Sequence, residues 1–273
     1  MITMPNIMIA PNGARRTKAD HPRLPMTIAE IVECARDCAV AGADGIHAHV
    51  RDEQGQHVLD VGLYRELQAE LSIQVPEMTV QVTSEAAGIY QPEQQRRIIR
   101  ELKPAYVSVA MREMLADDND TREQQRARDF YHWAYDEQVT IQHIIYSADD
   151  IAVWFQRVAD GIMPMPDSPA GVAQAQLLFV LGRYRKNQQS SPEDLQPFLD
   201  ALRPYQADYA IDWAVCAFGS GETDCLLAAA EQGGRLRIGF ENSLWHSDGT
   251  VAADNCERVE YLCRKLSGSG TRI

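Results

Sequence analysis

The sequence predicts a (β/α)8 barrel, one domain spanning residues 1–273. Three observations carry that expectation. Short β-rich runs alternate with helical stretches from one end of the chain to the other. Many of the β-rich runs are almost continuously apolar, as strands are when both faces are covered. Eight such βα units in 273 residues fit a closed barrel better than an open doubly wound sheet. Alternating βα units also imply a parallel sheet with right-handed crossovers. No G-x-G-x-x-G follows the first run, and no P-loop or G-x-S-x-G occurs, which argues against a dinucleotide-binding fold and a serine hydrolase.

The first predicted strand covers 6–11, and a polar loop follows over 12–25. Thr27 reads as an N-cap, with Glu30 in the capping-box position three residues later. Ile28, Ile31, Val32, Ala35, Cys38 and Ala39 then recur at the helical period, and Gly42 stops the helix. The remaining strands are expected at 45–50, 79–85, 105–111, 139–147, 177–182, 209–218 and 235–241. Helices are expected near 60–72, 92–102, 122–136, 148–160, 193–203, 222–232 and 253–266. Residues 163–170, rich in Pro and Met, and the polar stretch 183–193 read as loose loops, and 267–273 as a frayed tail. The 183–193 loop follows the sixth strand, which in a barrel places it on the catalytic face.

The bulk numbers narrow the function. A net charge of −13 leaves no basic excess for tracking nucleic-acid phosphates. No apolar run approaches the ~18 residues of a membrane span. The apolar first segment lacks a basic flank and a small-residue cleavage site, so it reads as a buried strand of a cytoplasmic protein. None of the six cysteines forms a C-x-x-C pair, and all read as free thiols.

The chemistry concentrates in Gly-Ile-His-Ala-His-Val-Arg-Asp, residues 45–52. His47 and His49 are two apart on a strand, so both side chains point to one face, the lumen of a barrel. Two adjacent imidazoles can bind one metal ion; they can equally be satisfied interior histidines. Glu241 ends the eighth strand, which in a closed barrel neighbours the first, with the second just beyond. It can therefore complete a His2Glu set with open positions, a catalytic arrangement; alone it could be a solvated loop glutamate. Arg237 precedes it by four residues on the same strand face. In a lumen it needs an acidic partner or a substrate carboxylate. Thr83 and Ser108 offer hydroxyls on the third and fourth strands.

Three stretches, Asn-Gly-Ala-Arg-Arg-Thr-Lys-Ala-Asp-His-Pro-Arg-Leu-Pro (12–25), His-Ala-His-Val-Arg-Asp (47–52) and Arg-Ile-Gly-Phe-Glu-Asn (237–242), resemble the β-keto acid cleavage enzymes, whose prototype is 3-keto-5-aminohexanoate cleavage enzyme. The resemblance runs in order over nearly the whole chain. It implies a homotetrameric acyltransferase that uses one zinc ion, on His47, His49 and Glu241, to convert a β-keto acid and acetyl-CoA into acetoacetate and an acyl-CoA. The implied route removes the C2 proton, attacks the acetyl-CoA thioester, transfers CoA and ends in a retro-Claisen cleavage. Arg237, Thr83 and Ser108 match residues that surround the family's general base.

The departures are specific. The family's base is an aspartate, and its place here is held by Asn242, whose amide cannot accept a proton at neutral pH. Glu85 is the nearest replacement. Ala110, Met111 and Gln142 also differ, and the C-terminal extension of many members is truncated after Leu266. Arg15 stands where the prototype has a glutamate for the substrate's amino group. It is expected to favour an anionic or hydroxylated β-keto acid, with Arg16 or Lys18 assisting or holding CoA phosphates, unless it pairs with Asp20 or Glu85. Two further readings keep the metal: a lyase or hydrolase of keto acids without CoA, and a binding protein that has lost turnover.

Overall fold

The computed structural model describes residues 2–115, 120–166, 174–184 and 186–270. Eight parallel strands close on themselves in sequence order: β1 (Ile7–Ile9), β2 (Gly45–Ala48), β3 (Thr79–Thr83), β4 (Tyr106–Ala110), β5 (Thr140–Ile145), β6 (Gln174–Leu181), β7 (Ala210–Ala217) and β8 (Arg235–Ile238). Helices α1 (Ile28–Ala41), α2 (Val61–Gln74), α3 (Pro92–Leu102), the single turn α4 (Met111–Met114), α5 (Thr121–Asp136), α6 (Ala148–Ala159), α7 (Gln196–Leu202), α8 (Glu222–Glu231) and α9 (Asn255–Ser269) cover the outside. Parallel strands covered in this way bury their apolar residues on both faces, so the main core lies in the shell between sheet and helices.

Local chemistry sets the helix boundaries. Thr27 accepts from the Glu30 amide while the Glu30 carboxylate accepts from the Thr27 amide, and Gly42 ends α1 in the left-handed conformation. The barrel closes by pairing β1 with both β2 and β8, which brings the end of β8 within two strands of the end of β2.

Several expected boundaries shift. The strand at 79–85 ends at Thr83, so Glu85 lies past it in the loop. The strand at 235–241 ends at Ile238, because Gly239 turns out with φ +142 and sends its amide to the Glu222 carboxylate instead of into the sheet. Glu241 therefore also stands on a loop. The expected strand end at Met111 begins a helical turn, and β6 starts at Gln174, three residues early. The tail expected to fray from 267 is helical to Ser269 and capped by Gly270 in the left-handed conformation. Residues 271–273 lie outside the described residues, as do 167–170 of the expected 163–170 loop and 185 of the loop at 183–193. No helix among the described residues is long and apolar enough to cross a membrane.

Candidate metal centre

The ends of β2 and β8 bring His47, His49 and Glu241 together at one mouth of the barrel, with ligand-capable atoms all within 4.8 Å of one another. Both imidazoles are buried, and their Nε2 atoms stand 3.2 Å apart. Glu241 Oε2 lies 3.8 Å from each. The other Glu241 oxygen, Oε1, accepts from the Arg237 guanidinium at 2.6 Å, while Oε2 is buried without a hydrogen-bond partner.

The surrounding hydrogen bonds settle which ring nitrogens carry protons. Gln81, beside His47 on the neighbouring strand, donates its amide to Gln142 Oε1 at 3.0 Å. Its own Oε1 then faces His47 Nδ1 at 2.8 Å, so that nitrogen donates and Nε2 keeps its lone pair. On the other side, His57 Nε2 lies 3.0 Å from the Glu85 carbonyl, which can only accept. His57 Nδ1 is then the acceptor for His49 Nδ1, at 3.4 Å, and His49 Nε2 also keeps its lone pair. Burial, and after it the Arg237 guanidinium, holds the His47 imidazole well below the usual histidine range. Burial, and then the His57 and His47 rings, does the same for His49. Two imidazole lone pairs thus converge on the Glu241 carboxyl oxygen Oε2. Such a set repels itself unless a cation fills the gap, and two imidazoles with one carboxylate suit a divalent ion such as zinc.

Glycine and arginine hold these groups in place. Gly13 sits at φ +59, and a Cβ there would lie 2.5 Å from Glu241 Cγ, so the glutamate side chain runs against bare backbone. Arg51 binds the carbonyls of Gly13, Ala14, Arg16 and Gly55 and so ties the 13–16 loop to β2. Asn12 brackets His49, accepting from its amide at 3.2 Å and donating to its carbonyl at 2.8 Å. Arg16 donates to the carbonyls of Phe240 and Asn242, on either side of Glu241. The Phe240 amide bonds to Asn255 Oδ1 and the Glu241 amide to the Ala10 carbonyl. Beneath them, fully buried Glu222 accepts from Arg258 and from the Gly239 amide; burial pushes its carboxyl up to about 7 against the pull of Arg258.

A pocket opens beside the three converging atoms. Its polar wall is Thr83, Glu85, Ser108, Arg183, Arg237 and Asn242; its apolar wall includes Ile144, Leu178, Val180 and Phe218. Ser108 Oγ and Asn242 Oδ1 are buried without partners, whereas Thr83 Oγ1 accepts from the Glu85 amide at 3.1 Å. Glu85 Oε2 lies 3.9 Å from His49 Nε2. Its Oε1 meets Arg15 at 2.9 Å and Arg183 at 3.5 Å.

The model of the beta-keto acid cleavage enzyme family matches residues 6–273. The chain belongs to the β-keto acid cleavage enzyme family. It is 24% identical over 265 residues to the 3-keto-5-aminohexanoate cleavage enzyme of Fusobacterium nucleatum, covering 96% of this chain and 90% of that one. It is 25% identical over 292 residues to the 3,5-dioxohexanoate:acetyl-CoA acetone transferase of Paraburkholderia graminis, covering 96% and 89%. Among solved structures, the ternary complex of ObcA with C4-CoA adduct and oxalate superposes with a TM-score of 0.66 at 13% identity, over 91% of this chain and 65% of ObcA. The 3-dehydroquinate dehydratase of Geobacillus kaustophilus superposes at 0.58 with 14% identity, over 97% and 92%. At such identities these two show the barrel fold alone.

In this β-keto acid cleavage enzyme family member, His47, His49, Glu241, Arg237, Thr83, Ser108, Glu85 and Asn242 converge on one mouth. Arg15 and Arg16 stand apart. Arg15 pairs with Glu85 with its side chain 56% exposed, and Arg16 is spent on the backbone around Glu241. The structure adds two residues to this mouth, His57 and Arg183. The turn at 52–55 folds His57 back antiparallel to Arg51, a signal present in Asp-Glu-Gln-Gly. Arg183 was signalled only by its position after the sixth strand.

Proposed function

We propose that this protein is a zinc-dependent acyltransferase that converts a β-keto acid and acetyl-CoA into acetoacetate and an acyl-CoA. The observation that carries the reading is the convergence of His47 Nε2, His49 Nε2 and Glu241 Oε2, with the other nitrogen of each ring bonded elsewhere. Family membership and the activities for which the relatives are named support the reaction class. A bound zinc ion would polarise the keto and carboxylate oxygens and so acidify the carbon between them.

The chain's own residues supply the rest. Asn242 holds no exchangeable base, and besides the candidate ligand Glu241 the only carboxylate lining the pocket, among the described residues, is Glu85. Glu85 therefore takes the proton from that carbon. Ser108, whose hydroxyl is buried without a partner among the described residues, donates to a substrate oxygen, and Arg237 holds Glu241 aimed. The six cysteines are free thiols, which fits a reducing cytoplasm, and the family resemblance points to a homotetramer.

The test is a panel of β-keto acids with acetyl-CoA, scored for the acyl-CoA formed by zinc-loaded protein. Glu85→Gln should lower turnover by about 10^2–10^4-fold. Full activity in that variant removes Glu85 from the role. A second reading, in which Asn242 marks a keto-acid lyase or hydrolase without CoA, is supported instead if substrate is consumed at the same rate without acetyl-CoA.

A further inference from the structure

We infer that Arg183, on the loop after β6, receives a second, distal carboxylate of the substrate, so that the site selects β-keto dicarboxylates. The inference deepens the β-keto acid reading above and rests on it.

Among the described residues, Arg183 is the cation of the pocket wall that no protein group fully claims. Arg237 is committed to Glu241 at 2.6 Å, and Arg15 to Glu85 at 2.9 Å with its side chain more than half exposed. Arg183 lies over the Phe218 ring at 5.0 Å, with its side chain only 21% exposed. Its nearest anion is Glu85 Oε1 at 3.5 Å, longer than a charge-assisted hydrogen bond and on the oxygen that Arg15 already occupies. Glu85 thus faces two guanidinium groups, and Arg183 is the one of the two that lines the pocket. A planar guanidinium held against an aromatic face presents a fork suited to a carboxylate.

The position fits a short diacid. Glu85 points one oxygen at His49 and the other at Arg183, so a single carboxylate separates the candidate metal ligands from this cation. The same pocket has an apolar wall: Ile144, Leu178, Val180 and Phe218 suit methylene groups and offer an ammonium nothing. A β-keto acid anchored at the metal centre by its keto and carboxylate oxygens would run along this wall and end at Arg183. The charge preference expected of Arg15 thereby moves to a residue that lines the pocket.

The experiment compares two acids of equal length, 3-oxoadipate and 3-oxohexanoate, on zinc-loaded wild type, Arg183→Gln and Arg183→Lys. Binding of each acid is measured calorimetrically without acetyl-CoA, and kcat/KM for acyl-CoA formation with it. The wild type should favour 3-oxoadipate, and Arg183→Gln should shrink that preference roughly 10- to 100-fold in both measurements. Arg183→Lys, which keeps the charge without the fork, should fall between. A wild-type preference for 3-oxohexanoate overturns the inference. So does an unchanged ratio in Arg183→Gln, or a rise in the KM for acetyl-CoA that is equal with both acids, which would assign the guanidinium to CoA. If neither acid yields an acyl-CoA, the acyltransferase reading falls, and the calorimetric ratio still decides the role of Arg183.

Discussion

His57 never touches the space where an ion would sit, yet it decides whether His49 offers a lone pair there. Its Nε2 is fixed as a donor by the Glu85 carbonyl, which makes its Nδ1 the acceptor for His49. Outer partners of this kind commonly change metal affinity by about 10–100-fold when removed. His57→Ala should weaken zinc binding by that amount with the fold retained, read by competition against a chromophoric chelator. His57→Gln, which still carries an acceptor oxygen, should recover part of the loss. Unchanged affinity in His57→Ala would remove the relay. This residue shows what spacing can and cannot convey. His47 and His49 were legible because a period of two puts them on one face of a strand. His57 acts across a hairpin turn, and no period links it to either of them.

The loop that carries Glu241 is held largely from outside itself. Its backbone is bonded to Ala10 of the first loop, Asn255 of α9, Glu222 of α8 and Arg16 of the 12–25 loop. Gly13 supplies the clearance. Gly13→Ala puts a methyl group 2.5 Å from Glu241 Cγ at a backbone φ of +59. The variant should lose about 1 kcal/mol of stability or more and bind zinc less tightly, measured by urea titration and by the same chelator competition. Zinc affinity equal to wild type would show that Glu241 does not depend on this contact. The strand ends were not legible in the sequence for the same reason. The runs 79–85 and 235–241 look continuous in composition, but the β8 ladder stops where Gly239 turns away and gives its amide to a carboxylate on another helix. The helix starts were legible because capping is local, as at Thr27 and Glu30.

At the scale of the molecule, the closed barrel follows from alternating βα units, each strand covered on both faces, and these are visible in order along the chain. That architecture also buries groups unrelated to the site. His143 on β5 faces outward between the rings of Tyr131 and Trp154, at 5.7 and 5.3 Å, with its Nδ1 unpartnered. Burial alone pushes its imidazole down to about 3. A histidine buried neutral has a folded pKa below its unfolded value, so the unfolded chain takes up the proton first. The stability this site contributes is complete above about pH 6.5 and is lost as pH falls from there toward 3. Between pH 7 and 5 the loss through His143 is on the order of 2 kcal/mol. His143→Phe should flatten the fall in urea-derived stability over that interval by this amount. A slope identical to wild type would mean that the ring is protonated within the fold.

The account turns on three atoms that share one cation, and anomalous diffraction from zinc-loaded crystals addresses them directly. The expected result is one zinc peak between His47 Nε2, His49 Nε2 and Glu241 Oε2, with Nε2–zinc distances of roughly 2.0–2.1 Å. A peak elsewhere in the molecule, or one that touches neither histidine, would contradict it.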